Sequence, residues 1–114
     1  MIGQIAQSLG KYMDVLAARQ ALITSNIANI DTPGYRTLDL NFQQEFQNLL
    51  DNGGDVPAAP SEVEGLRIKN DGNNVNMDRE GLMMSETQLQ YQIGIQLVKR
   101  QFHQLLSAIN GGGS

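Results

Sequence analysis

His103 is the only histidine in the chain, and there is no cysteine. Catalytic thiols, disulfides, thiolate metal sites and iron–sulfur clusters are therefore excluded. A lone imidazole on a segment rich in Gln and basic residues supports neither a nucleophile triad nor a metal cluster, and it reads as solvent-facing. The stretch Asn70-Asp71-Gly72-Asn73-Asn74-Val75-Asn76 looks superficially like a calcium loop. In a register starting at Asp71, however, the glycine falls second rather than sixth and the terminal bidentate Glu is misplaced. No glycine-rich phosphate loop follows a strand. The chemistry-bearing residues thus predict a protein that is not an enzyme and holds no metal or cofactor.

The elements around these residues must then explain the chain. At 114 residues it is about one domain long. Eight Lys and Arg against twelve Asp and Glu give a net charge of −4, which repels phosphate backbones and anionic lipid and argues against nucleic acid as a partner. No apolar run reaches the roughly 18 residues of a membrane span. The start, MIGQIAQSLGKYMD, lacks the basic end and continuous apolar core of a cleaved signal.

Hydrophobic spacing predicts an all-α fold. Ile2, Ile5, Leu9, Tyr12, Met13, Leu16, Ile23, Ile27 and Ile30 recur at threes and fours, one apolar stripe on a long helix over about 1–30. Phe42, Phe46, Leu49 and Leu50 give a short helix over 39–50. Residues 51–76 are rich in Gly and Pro and too polar for a core of their own, so they read as a flexible loop, with room for one short strand at Leu66 and Ile68. A second long helix starts near Asn76 or Asp78, with Asp78 and Glu80 at the positive end of its dipole, and runs to about Ile109 before a glycine-rich tail. The organisation is one structural unit in three parts: 1–50, 51–76 and 77–114.

The last helix carries apolar residues on two sides. Met84, Tyr91, Ile95, Val98, Phe102, Leu105 and Ile109 form one heptad-like seam, and Leu82, Leu89, Ile93 and Leu97 lie about 160 to 240° around the wheel. We expect Tyr91, Ile95, Val98 and Phe102 to pack within the subunit on Leu9, Met13, Leu16 and Ile23. The Leu82, Leu89, Ile93 and Leu97 face would then meet other chains, and the two roles could be exchanged. The bland alternative is that the short helix covers the second seam in a monomeric three-helix bundle. Gly94 in the helix interior suggests a close backbone approach, mere tolerance being the alternative.

Between the first two helices, Thr32-Pro33-Gly34-Tyr35 must turn the chain: proline disfavours helical geometry before it, and Pro-Gly fits the centre of a type II turn. The string Asn26-Ile27-Ala28-Asn29-Ile30-Asp31-Thr32-Pro33-Gly34-Tyr35 resembles the N-I-A-N-x-x-T-P-G-Y signature of the bacterial flagellar axial proteins, the rod, hook and hook-associated family. Asn74 to Glu80, Gln88 to Gln92 and Leu106 to Ile109 are more similar to the B-type proximal rod proteins than to the C-type.

The resemblance implies terminal helices paired as a coiled-coil-like column and a role as a structural subunit of the flagellar basal-body rod. It further implies export without a cleaved signal by the flagellar type III apparatus and location in the rod across the periplasm. The partners it implies are copies of the chain, other rod proteins and the membrane-ring adaptor at the rod base. Phe42, Phe46 and Leu50 match the Phe-x-x-x-apolar element read by the export gate, although packing of the short helix accounts for the same residues. The middle segment, about 51–73, resembles nothing in the family and is too short for the inserted domain of a hook protein. Competing readings are the C-type rod protein and a cytosolic helical adaptor or export chaperone.

Overall fold

A computed structural model describes residues 2–52 and 59–111. Residues 53–58 of the expected loop and 112–114 of the expected tail lie outside them. The described chain runs α1 (Ile2–Ala28), β1 (Leu38–Asp39), α2 (Phe42–Asn52), β2 (Ser61–Glu62) and α3 (Met77–Gly111). The two long helices pack against each other in a molecule extending 66 × 26 × 18 Å, so the all-α fold with paired terminal helices is the one observed.

α1 buries a stripe at threes and fours: Val15, Leu16, Arg19, Ile23 and Asn26. It ends at Ala28, where the Asn29 side chain donates back to the Ser25 carbonyl at 2.8 Å and the chain passes into the turn. Asn41 caps α2 by accepting from the Gln44 amide, and Asn76 caps α3 by accepting from the Arg79 amide. α2 lies on α1: Phe42 and Phe46 meet the Tyr12 ring edge-on, with centroids 5.4 and 5.9 Å away. Among the described residues it does not pack on α3. The short helix therefore leaves the second seam uncovered, against the three-helix-bundle alternative.

α3 is rotated from the expected setting. Glu80, Thr87 and Gly94 are its buried residues, seven apart, on a line offset about 20 to 60° from Tyr91 toward the Leu97 and Ile93 side. Tyr91, Ile95, Val98 and Phe102 remain 38 to 59% exposed, so the seam expected to close the hairpin flanks the contact instead. Two causes set the rotation. Gly94 admits α1 where a side chain would not fit: a Cβ there would stand 2.4 Å from Met13 Sδ and 3.1 Å from Tyr12 Cε1. At the other end, Glu80 is held by Asn26.

The strand expected at Leu66 and Ile68 does not form. The chain pairs one turn earlier, with Leu38 opposite Glu62 and Asp39 opposite Ser61, and Val63 donates to the Thr37 carbonyl. Residues 66–69 lead instead into a tight turn closed by Lys69 to Asn73 and Gly72 to Lys69 backbone bonds. Over 59–76 the segment expected as a free loop is tied to the turn after α1.

Replacing Gly94 with Leu is expected to force the helices apart and cost about 2 to 3 kcal/mol, measured as a lower urea midpoint by circular dichroism. Gly94→Ala should cost far less, because the flexible Met13 tip can move and alanine regains about 1 kcal/mol of helix propensity.

Candidate functional site

The ten residues singled out as a signature fold into a polar clasp at one end of the hairpin. Asn26, fully buried, uses its whole amide. Its Nδ2 donates to the Leu38 carbonyl at 2.8 Å and to Glu80 Oε1 at 2.7 Å, while its Oδ1 accepts from the Leu38 amide and the Tyr35 hydroxyl. An Asp or a Leu in its place would leave buried partners unmatched. Asn29 accepts from the Thr32 hydroxyl, and Tyr35 N–H donates to the Thr32 carbonyl. With Gly34 at φ 76°, that bond is the signature of the type II turn expected from Pro33-Gly34. Ile27 is half-buried, and Ala28 and Pro33 are exposed.

The Asn-rich stretch that looked like a calcium loop is the other half of the clasp. Asn73, fully buried, donates from Nδ2 to the carbonyls of Asn29 and Thr32, both at 2.8 Å, and accepts from the Val75 amide. Asn74 accepts from the Thr37 amide at 2.7 Å. Gly34 N–H donates to the Asp71 carbonyl, and Gly72, itself at φ 86°, lies so close that a Cβ would stand 3.3 Å from Gly34 Cα. The asparagines thus serve backbone groups that two adjacent turns leave unpaired, not a cation.

Beneath the turns Asp39 and Glu80 meet the guanidiniums of Arg19 and Arg79, and the exposed Glu86 lies 3.7 Å from Arg19. Asp39 accepts from Arg19 on both oxygens, Nε to Oδ1 at 3.1 Å and Nη2 to Oδ2 at 3.2 Å, and from Arg79 on Oδ2, while Arg79 also donates to Glu80 Oε2 at 2.7 Å. Asp78 and Glu80 stand in the first turn of α3, at the positive end of its dipole as expected, and Glu80 is in addition fully buried with its carboxylate in the clasp. Burial pushes the Asp39 carboxyl up, but bonds from Arg19, the Leu40 amide and Arg79 outweigh it and hold the group below the ordinary carboxylate range. Burial likewise pulls Arg79 down, and Glu80 and Asp39 more than restore it.

Away from the clasp, the structure separates the other predicted residues. Leu16 and Ile23 are buried and Leu9 and Met13 half-buried on α1. Tyr91 sits at the edge of the helix contact in a groove with Ala17 and Gln20. Leu82, Leu89, Ile93 and Leu97 are 62, 58, 49 and 38% exposed, so both sides of α3 are bare. Phe42 and Phe46 are engaged with Tyr12, while Leu50 is 40% exposed. Sequence reasoning missed Arg19 and Asp39, weighed Asn73 and Asn74 only as part of a calcium-like loop, and met Arg79 only inside the Asn74 to Glu80 string, with no role for any of them; Arg19 standing on the apolar stripe, seven residues before Asn26, was a readable hint.

A depressed Asp39 contributes stability that is present above the ordinary carboxylate pKa of about 4 and disappears as pH falls through its lower folded value. Asp39→Asn is expected to cost about 2 to 4 kcal/mol at pH 7 by removing the carboxylate that Arg19 and Arg79 share, which leaves Arg79 with Glu80 and Arg19 with only the exposed Glu86 at 3.7 Å. It should also flatten the dependence of stability on pH below about 4. Urea titrations between pH 2 and 7 read both effects; an unchanged acid limb would refute the assignment.

Comparison with known proteins agrees with this geometry. The profile of the family described as flagella basal body rod protein matches residues 13–36, which run from α1 through the turn. The chain is 30% identical over 122 residues to the flagellar basal body rod protein FlgB of Escherichia coli (strain K12), with 88% of each chain covered. It is 32% identical over 120 residues to FlgB of Cereibacter sphaeroides (strain ATCC 17029 / ATH 2.4.9), covering 90% of this chain and 94% of that one. With FlgB of Buchnera aphidicola subsp. Acyrthosiphon pisum (strain APS) it shares 27% identity over 129 residues, 96% and 97% of the two chains. Full-length likeness to these proteins, together with a signature that forms the clasp, places the chain in the FlgB family of flagellar basal body rod proteins.

Proposed function

We propose that the chain is a structural subunit of the proximal rod of the flagellar basal body, built to complete its packing only beside other subunits. The observation that carries this reading is the two-sided exposure of α3. Among the described residues, none is buried before Val15 or after Gly94, yet Leu89, Tyr91, Ile93, Ile95, Leu97, Val98 and Phe102 continue the apolar seams. Apolar surface on this scale marks association. Two faces on opposite sides of one helix permit open, non-closing contacts of the kind that generate helical assemblies.

In this reading the clasp makes one end of the subunit rigid and sets the angle at which the chain leaves the column, while the other end supplies adhesive surface. The work of the protein is mechanical: it passes torque through packed helices and needs no reacting group. Its partners are copies of itself, other rod proteins and the ring adaptor at the rod base, and its place is the rod in the periplasm. No described helix is long and apolar enough to cross a membrane.

Passage through a type III export channel, without a cleaved signal, fits the same chain. Phe42 and Phe46 are half-covered by Tyr12 in the folded hairpin. An export gate reading Phe42, Phe46 and Leu50 would therefore meet them freely only before α2 docks on α1.

Fractionation of flagellated cells tests the assignment: the chain should sediment with purified basal bodies, and a purely cytosolic protein would instead be an adaptor or chaperone. Hydrogen exchange should show weak protection of residues 95–111 in the free subunit and strong protection in basal bodies. Gly34→Val has room for its side chain but not the backbone angle, since φ 76° is strongly disfavoured for a β-branched residue. That variant should fail to form rods and leave cells non-motile; normal motility would refute the role given to the turn.

A further inference from the structure

The net charge of −4 hides a segregation along the long axis. All twelve Asp and Glu fall between Asp14 and Glu86, together with five Lys and Arg, which leaves that span at −7. Residues 1–13 and 87–114 contain no acidic side chain and three cations, Lys11, Lys99 and Arg100, a balance of +3. The fold brings these two stretches together. Met13 lies against Gly94 and the Tyr12 hydroxyl donates to the Gln90 carbonyl, so α1 before Met13 runs beside α3 beyond Gly94, away from the clasp. One end of the molecule is acidic and the other basic.

The basic end is also the one with bare apolar surface. At about 100° per residue, Ile95, Leu97, Val98, Phe102, Leu106 and Ile109 occupy one half of the wheel of α3, and they are 38 to 68% exposed. Ile5 of α1, 43% exposed, extends that half across a groove it shares with Leu97. Lys99 and Arg100, both exposed, stand on the other half, about 20° and 60° beyond its two edges, with Gln96 and His103 between them. An apolar half flanked on both sides by cations, with no carboxylate, is the pattern of a helix lying in a membrane interface. Its apolar half enters the acyl boundary and its cations rest among anionic headgroups. A nucleic acid would leave the apolar half wet. The acidic end does not cancel the attraction: residues 95–111 extend about 25 Å beyond Gly94, whereas charges are screened over about 8 Å at physiological salt.

We propose that this basic stem, α3 from Ile95 to Gly111 with the start of α1 beside it, is a peripheral docking site for an anionic lipid surface. It lies along the bilayer and not across it, since no described helix is long and apolar enough to span one. Attraction to phosphate-bearing lipid is thus a local property of one end, although the chain as a whole is acidic. The apolar half that the rod reading gives to neighbouring subunits is covered by lipid while the subunit is free, and neighbours and lipid compete for it. Lipid binding by the free chain does not depend on rod assembly, so the two readings fail separately.

Flotation of the purified full chain with vesicles tests the site, because self-associated chain stays at the bottom of the gradient. With vesicles of phosphatidylglycerol and phosphatidylcholine, flotation is expected several-fold above that with phosphatidylcholine alone, and it should fall as salt is raised. Lys99→Gln with Arg100→Gln should lower it several-fold, and so should Phe102→Gln with Ile109→Gln. Arg67→Gln with Lys69→Gln removes the same charge from the acidic end and should float as the native chain does. The comparison of the two vesicles uses the native chain, so it holds whether or not a variant folds. No flotation, equal flotation with both vesicles, or an equal loss in the Arg67 and Lys69 pair would overturn the lipid site. Release of the bound chain by soluble polyglutamate of matched charge would overturn the choice of lipid in favour of an acidic protein surface.

Discussion

The pairing of a buried amide with a buried carboxylate, Asn26 with Glu80, is the constraint on which the rest of the structure depends. Both side chains are fully covered, so each is costly unless every polar atom is matched. Matching Asn26 requires the backbone at Leu38, the hydroxyl of Tyr35 and the carboxylate of α3 at once. Matching Glu80 requires Arg79, which in turn shares Asp39 with Arg19. Satisfying one residue thus fixes the rotation of both long helices, the exit of the turn and the position of β1. Buried networks of this kind select a single arrangement because any slip leaves polar groups unpaired.

That end of the molecule contrasts with the other. Toward the amino terminus of α1 and beyond Gly94 on α3 the described residues enclose no core: Tyr12 lies against the Phe42 and Phe46 rings of α2 and donates its hydroxyl to the Gln90 carbonyl of α3 at 3.1 Å. A subunit of this design has a defined head and an unfinished stem. It is suited to entering an assembly, where neighbours supply the missing burial, and poorly suited to standing alone.

Much of this was legible in the chain itself. Spacing at threes and fours located the three helices to within a few residues, and Pro33-Gly34 announced a type II turn whose glycine has the required positive φ. Those features are local: a helix stripe and a turn are dictated by residues within four positions of one another. The absence of thiols and of metal-ligand spacing is likewise a property of composition. The motif from Asn26 to Tyr35 carried the family without any coordinates.

The tertiary structure decided what faces what. Nothing local to Asn73 says that its amide will serve carbonyls 41 and 44 positions away, and nothing local to Glu80 says that, besides standing at the positive end of a helix, it will be buried against Asn26. The same holds for the rotation of α3. By hydrophobicity alone, Tyr91, Ile95 and Val98 outrank Thr87 and Gly94 as core, yet the small residues lie in the contact because they let the backbones approach while the clasp locks the angle. Sequence determines which surfaces are apolar. Which of them one chain hides depends on long-range polar matching, a sum over distant partners that no window along the chain contains.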